Sequence, residues 1–198
     1  MPTINFVLSG LGGQGILFMT KIIAKTALRK GYSVMGAETH GMAQRGGSVI
    51  SHLRLGKVSS SLVKPGSAQF LLSLEENEAY RNLSFLAKNG HLFSDTAMET
   101  FPVPGVKSYL DKMGIRYDAL PAGNIALELG APVSSNLAMI GFFAAFRKGP
   151  FEVNDFRETI ESISPERFKA INLQVFEKGL SAGNSAKASR GSIAEANS

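Results

Sequence analysis

The chain has 198 residues, of which 44% are hydrophobic and 19% charged, with a formal net charge of +5 and no cysteine. This length and composition predict one globular domain with its own core, and no apolar run reaches the roughly 18 residues that a membrane span needs. The missing cysteines exclude disulfides, thiolate nucleophiles and cysteine-ligated iron–sulfur clusters from this chain, and the scattered basic residues argue against nucleic-acid binding.

The first forty residues predict a strand, a helix and a second strand. A short buried strand is indicated by INFVLSG, and YSVMGAE indicates the second one. The helix between them ends at Gly31 and has one apolar face, made of Ile16, Met19, Ile23 and Ala27. These elements form a βαβ unit, whose crossover we expect to be right-handed. The start of the chain lacks the pattern of a secretory signal, so we expect a cytoplasmic location.

The middle of the chain departs from simple alternation. The runs SVISHLRL and VSSSLV flank a Gly-Lys pair at residues 56–57, which predicts a hairpin and an antiparallel part of the sheet. QFLLSL indicates a further buried strand, and EENEAYRNLSFLAKNG predicts a helix that ends at residues 89–90. The predicted apolar face of this helix comprises Ala79, Leu83 and Leu86. Strands are also predicted at HLFSD and near IRYDAL, after a connection rich in proline and glycine.

The last third is predicted to be helical. SNLAMIGFFAAFRKGP is apolar on nearly all sides, which is typical of a helix buried in a core or an interface. Two more helices follow, the first with Asp155 and Glu158 at capping-box spacing and the second with Ser164 as cap before Pro165. We predict a domain over 1–180 and a disordered tail over 181–198. The fold class is α/β, a three-layer Rossmann-like fold with a mixed, mostly parallel sheet and a helical C-terminal part.

A glycine-rich loop, GLGGQG, joins the first strand to the first helix. The glycines that fit a G-x-G-x-x-G pattern are Gly10, Gly12 and Gly15. Such a loop lets the free N–H groups of a helix N-terminus face an anion, and Glu38 lies where a ribose-binding acid is expected. NAD or FAD binding is therefore one interpretation, and a tight strand-to-helix crossing without a ligand is another. Gly13 and Gln14 add backbone freedom and a polar side chain that a simple dinucleotide site does not need.

A second motif, ETHGMAQRGGSV, follows the second strand, where open α/β sheets place ligand sites. Its candidate site residues are His40, Gln44, Arg45, Gly46 and Gly47. They offer an imidazole, an amide and a guanidinium on a loop with unusual backbone freedom. A purely structural alternative stays open here, since Arg45 could cap a helix or pair with an acid, and a single histidine is more often structural than catalytic.

Taken together, these motifs resemble the gamma-type subunit, or gamma domain, of the 2-oxoacid:ferredoxin oxidoreductases. GLGGQG, HGMAQRGGSV, LLSLEENEAYRNL, SNLAMIG and INLQVFEKG look like the successive landmarks of that family, and the resemblance covers residues 3–180. Within the family, HGMAQRGG is most similar to the small (beta) subunit of the indolepyruvate enzymes. Relatives that act on pyruvate, 2-oxoisovalerate or 2-oxoglutarate vary around this Arg-Gly-Gly core.

The resemblance implies a reaction that this chain does not carry out alone. Family members oxidatively decarboxylate a 2-oxoacid with coenzyme A, which gives an acyl-CoA, carbon dioxide and reduced ferredoxin. Thiamine diphosphate with magnesium and 4Fe-4S clusters supply that chemistry. This chain has no Gly-Asp-Gly start of a thiamine motif and no cysteine. We therefore expect it to hold no cofactor or metal by itself and to form a hetero-oligomer with a large, cofactor-bearing alpha subunit, with ferredoxin as the electron acceptor. The resemblance also implies an oxygen-poor metabolism.

The resemblance also implies what the two motifs do. The amides of Gly12, Gly13 and Gly15 and the side chain of Gln14 are expected to line the coenzyme A region. His40, Gln44 and Arg45 are expected to face the partner's active site or the coenzyme's phosphates, with Arg45 as the charge partner. No residue is assigned a catalytic role. Two other functions stay open, an independent NAD-binding Rossmann-type oxidoreductase and a binding module without a catalytic partner.

Overall fold

The computed structural model of the chain describes residues 2–40 and 46–196, without the side chains of residues 40 and 190–196. The strands are β1 (Ile4–Leu11), β2 (Val34–His40), β3 (Ser48–Leu55), β4 (Ala68–Ser73), β5 (Leu86–Asp95) and β6 (Arg116–Leu120). The helices are α1 (Ile16–Arg29), α2 (Glu76–Arg81), α3 (Pro104–Lys112), α4 (Ala122–Glu128), α5 (Ser135–Ala145), α6 (Val153–Ile163) and α7 (Glu166–Ala196). Short 3₁₀ turns cover Leu83–Phe85 and Pro132–Ser134.

The described strands form a six-stranded sheet in the order β2-β3-β1-β4-β5-β6. β3 is antiparallel to both of its neighbours, whereas β1, β4, β5 and β6 are joined by parallel pairing. The chain leaves β1 toward β2 on one side and later continues from β4 on the other side. The carboxyl ends of β1 and β4 therefore flank the point where the strand order reverses, which is where open α/β sheets bind ligands.

Two apolar cores cover the two faces of this sheet, because successive residues of a strand point to opposite faces. Phe6 and Leu8 of β1 face the larger core, which packs against α1, α5, α6 and α7. Val7 faces the smaller core, which packs against α2 and α3. The predicted apolar face of α1 is confirmed, since all four of its residues belong to the larger core: Ile16, Met19, Ile23 and Ala27. The three-layer α/β fold with a mixed, mostly parallel sheet is confirmed.

α5 is the central helix of the larger core, as its apolar sequence predicts. Every residue of α5 is buried. It packs against α7 backbone to backbone, because glycines face the neighbouring helix at two points. A Cβ added at Gly141 would lie 2.0 Å from the carbonyl oxygen of Phe176, and one at Gly179 would lie 2.0 Å from that of Ala138. This seam fixes the position of α5, whose first turn borders the candidate site.

The predicted hairpin at residues 56–57 is wrong, although the antiparallel part of the sheet is confirmed. β3 pairs with β1 on one edge and with β2 on the other, so neither edge is free for the VSSSLV run. That run instead forms a loop beside β3, where the Arg54 guanidinium donates to the carbonyl oxygen of Ser60 at 3.0 Å. β3 also lies between β1 and β2, so the two parallel strands of the predicted βαβ unit are not neighbours.

The predicted helix after β4 is wrong beyond Arg81. α2 ends there, a 3₁₀ turn follows, and Leu86 already begins β5, where it pairs with Ala68 of β4. Asn89 has a φ of 62° inside β5 rather than at a helix end. Pairing with β4 therefore outweighs the local helical spacing of the apolar residues. α3 was not predicted.

The capping box of α6 lies three residues earlier than predicted. The Glu152 side chain accepts from the N3 backbone, and the Asp155 carboxylate accepts from the Glu152 N–H at 2.8 Å. Glu158, the predicted second partner, instead forms an ion pair with Arg29 at 2.5 Å.

The predicted disordered tail differs from the structure, in which α7 continues to Ala196. Part of this extension is supported by α5. Gly183 is buried, and a Cβ added there would lie 2.8 Å from the Phe142 carbonyl oxygen. The Lys187 ammonium donates to the Ala145 carbonyl oxygen at 2.9 Å. The small residues that suggested disorder let α7 approach α5 closely, and the domain boundary at residue 180 stays a prediction.

Candidate functional site

The glycine-rich loop turns tightly from β1 into α1. Gly13 and Gly15 have φ angles of +99° and +82°, the left-handed region that favours glycine. The Gln14 side-chain oxygen accepts the Leu11 N–H at 2.6 Å, so this amide closes the loop upon itself. A Cβ at Gly10 would lie 2.6 Å from that oxygen, which explains the glycine. The oxygen of Gln14 is therefore engaged within the loop.

The N-terminus of α1 is suited to an anion. Gly15 is the N-cap, and among the described residues no side chain caps this end and no acidic residue lies in its first turn. The first N–H groups of a helix lack partners within the helix and lie at the positive end of its dipole. This end of α1 can therefore bind a phosphate or carboxylate through backbone groups.

The structure brings the two predicted motifs together. The Gly12 N–H donates to the Gly47 carbonyl oxygen at 2.8 Å. The strand register continues this contact, with Leu11 opposite Ser48 and His40 opposite Val49. The connection between β2 and β3 thus returns beside the glycine loop.

The outcome differs among the predicted site residues. The residues of the glycine loop and the Gly-Gly pair lie together, and all of them are at least partly exposed except Gly10, which is buried: Gly10, Gly12, Gly13, Gln14, Gly15, Gly46 and Gly47. Only the backbone of His40 is described, at the end of β2. Gln44 and Arg45 lie outside the described residues.

Asn136 is a site residue that the sequence reasoning missed. Its amide nitrogen donates to the carbonyl oxygens of Gly15 at 3.2 Å and Gln14 at 3.4 Å. Asn136 is only 3% exposed, and a Cβ added at Gly15 would lie 2.0 Å from its amide nitrogen. A single amide near the start of an otherwise apolar helix was the available signal. Asn136 therefore holds the glycine loop against α5.

A second group of missed residues lies under the loops, on the face of α2. Ser9 donates to Ser73 across β1 and β4 at 2.9 Å, both fully buried. Glu78 is also fully buried, and its carboxylate accepts from the Ser48 hydroxyl at 2.5 Å. Ser48 directly follows the Gly-Gly pair. Buried polar groups thus link β1, β3, β4 and α2 at the point where the strand order reverses.

Asp95 ends β5 at the same edge of the sheet. Both of its oxygens accept from the Gly123 N–H of α4 at 3.2 Å. Burial is the largest influence on this carboxyl and raises its pKa from 3.8 to about 6, although hydrogen bonds from Gly123 and Ala122 act in the opposite direction. Asp95 therefore takes up a proton at mildly acidic pH.

This shift predicts a pH dependence of stability. Between about pH 4 and pH 6 the folded chain holds a proton on Asp95 that the unfolded chain has lost, so this contribution to stability is present below that window and is lost as the pH rises through it. Asp95→Asn removes the titration while it keeps the side-chain shape. We expect the stability of the variant relative to wild type to rise by about 2 kcal/mol across the window, measured by denaturant unfolding at several pH values. Parallel pH profiles for the two proteins would contradict the assignment.

A cavity of about 440 Å³ opens beside the glycine loop. Its walls come from the starts of α1, α5 and α7, and it is mainly apolar, with Phe18, Leu137 and Phe168 among its lining residues. In the part of the chain that the structure describes, no group of three or more histidines or acids is placed to hold a metal ion. No described helix is long and apolar enough to cross a membrane.

The position of Glu38 differs from that of the ribose-binding acid in a dinucleotide-binding site. In such a site the ribose-binding acid ends the strand next to the one that carries the glycine loop. Here β3 separates β2 from β1, and Glu38 pairs with Ser51 of β3. Two strand spacings place it about 10 Å from β1 across the sheet.

Known proteins with similar sequences match nearly the whole chain. The sequence model of the pyruvate ferredoxin/flavodoxin oxidoreductase family matches residues 5–182. The indolepyruvate oxidoreductase subunit IorB of Archaeoglobus fulgidus is 34% identical over 187 residues, which cover 89% of this chain and 93% of that relative.

Solved structures share the fold. The gamma subunit of a keto/oxoacid ferredoxin oxidoreductase from Geobacter sulfurreducens has a TM-score of 0.74 at 22% identity, over 92% of this chain and 99% of that one. The 2-oxoglutarate:ferredoxin oxidoreductase of Magnetococcus marinus, with 2-oxoglutarate, coenzyme A and succinyl-CoA bound, has a TM-score of 0.73 at 19% identity. That match covers 93% of this chain and 32% of the other. With the family match over residues 5–182, these similarities confirm the resemblance: the chain belongs to the pyruvate ferredoxin/flavodoxin oxidoreductase family.

Proposed function

We propose that this chain is the small subunit of a 2-oxoacid:ferredoxin oxidoreductase that makes an acyl-CoA and carbon dioxide and reduces ferredoxin. Family membership and the similarity to an indolepyruvate oxidoreductase subunit support this assignment. The form of the HGMAQRGG motif favours indolepyruvate or another aryl pyruvate as the substrate. A cytoplasmic location belongs to the same proposal.

The redox and decarboxylation chemistry belongs to a larger partner subunit. The chain has no cysteine to ligate an iron–sulfur cluster, and its described residues offer no group of three or more histidines or acids for magnesium. Thiamine diphosphate supplies carbanion stabilisation and the clusters supply electron transfer when they are bound in the partner. The small subunit contributes binding and orientation, and we expect it to be inactive alone.

The contribution of this chain is the coenzyme A region. The observation that carries it is the Gly12–Gly47 hydrogen bond of 2.8 Å, which joins both glycine motifs beside the uncapped N-terminus of α1. Backbone N–H groups and a positive helix end suit a diphosphate. Arg45 belongs to the same connection as Gly47 and would supply the fixed positive charge. About a third of the Magnetococcus chain, whose structure was solved with coenzyme A bound, has the fold of this chain.

Replacing Arg45 by Ala tests this role. In the reconstituted complex we expect weaker coenzyme A use by an amount typical of one charge-assisted contact, about 1.5–3 kcal/mol in kcat/KM for coenzyme A. Steady-state kinetics with varied coenzyme A measure the effect. Lys112→Ala removes a positive charge from the exposed end of α3 and is the matched control. Unchanged coenzyme A kinetics in a fully assembled Arg45→Ala complex would rule out the role.

Two simpler measurements separate this function from its alternatives. Mass spectrometry of the proteins that purify with the chain from its native source should find a cluster-containing, thiamine-binding subunit. Titration of the isolated chain with NAD should show no binding at micromolar concentrations. Tight NAD binding by a chain that purifies alone would favour an independent oxidoreductase, and a stable chain with neither partner nor ligand would favour a binding module.

A further inference from the structure

Glu78 is a buried carboxylate that lies beneath the two glycine motifs and has no part in the function proposed above. It belongs to α2, on the sheet face opposite α1, and it is 0% exposed. A carboxylate out of contact with water is retained only where hydrogen bonds or an opposite charge compensate for the lost hydration. The partners of Glu78 therefore indicate what it is for.

Each carboxylate oxygen has a different kind of partner. Oε1 lies 2.5 Å from the Arg81 guanidinium, which is three residues later in the same helix and has a 68% exposed side chain. Oε2 accepts the Ser48 hydroxyl at 2.5 Å, across 30 residues of chain. The first contact is local to α2, whereas the second joins α2 to the start of β3.

α2 itself is held firmly at this point. The Glu75 carboxylate caps the helix by accepting the Glu78 N–H at 2.8 Å, and the Ser9 hydroxyl oxygen lies 3.4 Å from the Glu78 carbonyl oxygen. Asn82 donates to the same carbonyl at 2.8 Å. The carboxylate is thus presented by a fixed backbone, which makes it a suitable anchor for a neighbouring segment.

Ser48 is the first residue of β3 and lies at the edge of the sheet where the glycine loop begins. It directly follows Gly47, whose carbonyl oxygen accepts the Gly12 N–H at 2.8 Å. It also faces Leu11, the last residue of β1, in the strand register. A bond to Ser48 therefore fixes one end of the 41–47 connection next to the glycine loop.

We infer that Glu78 is a positioning residue that, through Ser48, holds Gly47 against the glycine loop. The buried bond sets one arrangement of the start of β3 and the glycine loop, so that the backbone groups of Gly46 and Gly47 meet the same ligand as the amides of the glycine loop. The identity of that ligand as coenzyme A rests on the proposed function. The positioning itself rests only on the contacts of Glu78, Ser48, Gly47 and Gly12.

Two isosteric or smaller variants test this role in the reconstituted complex. Glu78→Gln removes the charge and Ser48→Ala removes the donor, and each is expected to raise KM for coenzyme A about tenfold, as for loss of one charge-assisted hydrogen bond. KM for the 2-oxoacid should stay unchanged. The double variant should show no more than the larger single effect, since one change weakens and the other removes the same bond. Ser48→Thr retains the hydroxyl and should behave as wild type.

Glu76→Gln is the matched control, because it makes the same substitution in the same helix. The Glu76 carboxylate accepts from Tyr80 and Thr96 rather than from β3. This variant should therefore keep the wild-type KM for coenzyme A. A purely structural role of Glu78 would lower thermal stability and leave the ratio of the two KM values unchanged, which would overturn the inference.

Hydrogen exchange of the Gly12 amide in the full chain tests the positioning in the absence of any ligand, because this amide donates to the Gly47 carbonyl oxygen. Exchange should be faster in Glu78→Gln and Ser48→Ala and unchanged in Glu76→Gln. Unchanged exchange, or an unchanged KM for coenzyme A in a complex where Arg45→Ala raises it, would overturn the role of Glu78. If Arg45→Ala and both test variants leave coenzyme A kinetics unchanged while Gly12 exchange is faster, the positioning stands and the coenzyme A assignment fails.

Discussion

Replacing Gly15 by Ala is expected to destabilise the chain by about 2–4 kcal/mol and to weaken coenzyme A use in the complex. Gly15 caps α1 at a φ of +82°, where a residue with a side chain costs about 1–2 kcal/mol. The added Cβ would also lie 2.0 Å from the Asn136 amide nitrogen. Asn136 would have to turn away and lose its bonds to the Gly15 and Gln14 carbonyls, at about 1 kcal/mol each.

Gly13→Ala is the control that separates these two costs. Gly13 also has a positive φ, +99°, but a Cβ there would meet nothing within 4 Å. It should therefore show the backbone strain alone, and the double variant Gly15→Ala, Asn136→Ala should relieve the clash but not the strain. Denaturant unfolding of these variants measures the difference. Equal destabilisation by Gly13→Ala and Gly15→Ala would show that the Asn136 contact contributes nothing.

The turn from β1 into α1 could be predicted because two independent signals agree there. The glycine spacing places a tight turn, and the apolar residues at Ile16, Met19 and Ile23 follow the helical period immediately after it, and both features are local. The burial of α5 could also be predicted, since a helix with apolar residues on all sides has no polar face to expose to solvent. Where a local pattern is this strong, distant contacts rarely change the secondary structure that it predicts.

The errors arose where distant contacts decide between local alternatives. The VSSSLV run could pair as a hairpin in isolation, but the edges of β3 are taken by β1 and β2, which are remote in sequence. Leu83 and Leu86 fit a helical spacing, yet the pairing of Leu86 with Ala68 places Leu86 in a strand. These strand pairings join residues that are far apart in sequence, so a local sequence pattern cannot predict them.

In the candidate site, too, the features set by local sequence could be predicted and those set by distant contacts could not. The two motifs follow strands whose carboxyl ends meet at one edge, so their proximity was predictable, and the Gly12–Gly47 bond agrees with it. Asn136 reaches the loop from more than 120 residues away, and Glu78 reaches Ser48 from 30. Asn136 is an isolated amide in an apolar helix, whereas Glu78 is one of several acids in its segment, and both segments were interpreted for their helical pattern. Supporting residues of this kind become visible only when the packing is known.

Replacing Gly179 by Ala is expected to lower the free energy of unfolding by about 3 kcal/mol, as for an overpacked core. A Cβ at this position would lie 2.0 Å from the Ala138 carbonyl oxygen and 2.7 Å from its carbon. These are backbone atoms of α5 that cannot rotate away, so α5 and α7 must separate. Gly105 of α3 is the matched control, because a Cβ there would meet nothing within 4 Å. Gly105→Ala should be neutral or stabilising by up to about 1 kcal/mol.

The same substitution tests whether the α5–α7 seam supports the site. Asn136 lies in the first turn of α5, about half a turn before Ala138, so separation of the helices would withdraw its amide from the Gly15 carbonyl. We therefore expect Gly179→Ala to raise KM for coenzyme A in the assembled complex as well as to lower stability, with KM for the 2-oxoacid unchanged. Loss of stability with wild-type coenzyme A kinetics would mean that α5 yields near Ala138 without moving Asn136. In that case Asn136 is held by its own bonds to the glycine loop rather than by the packing of the helix that carries it.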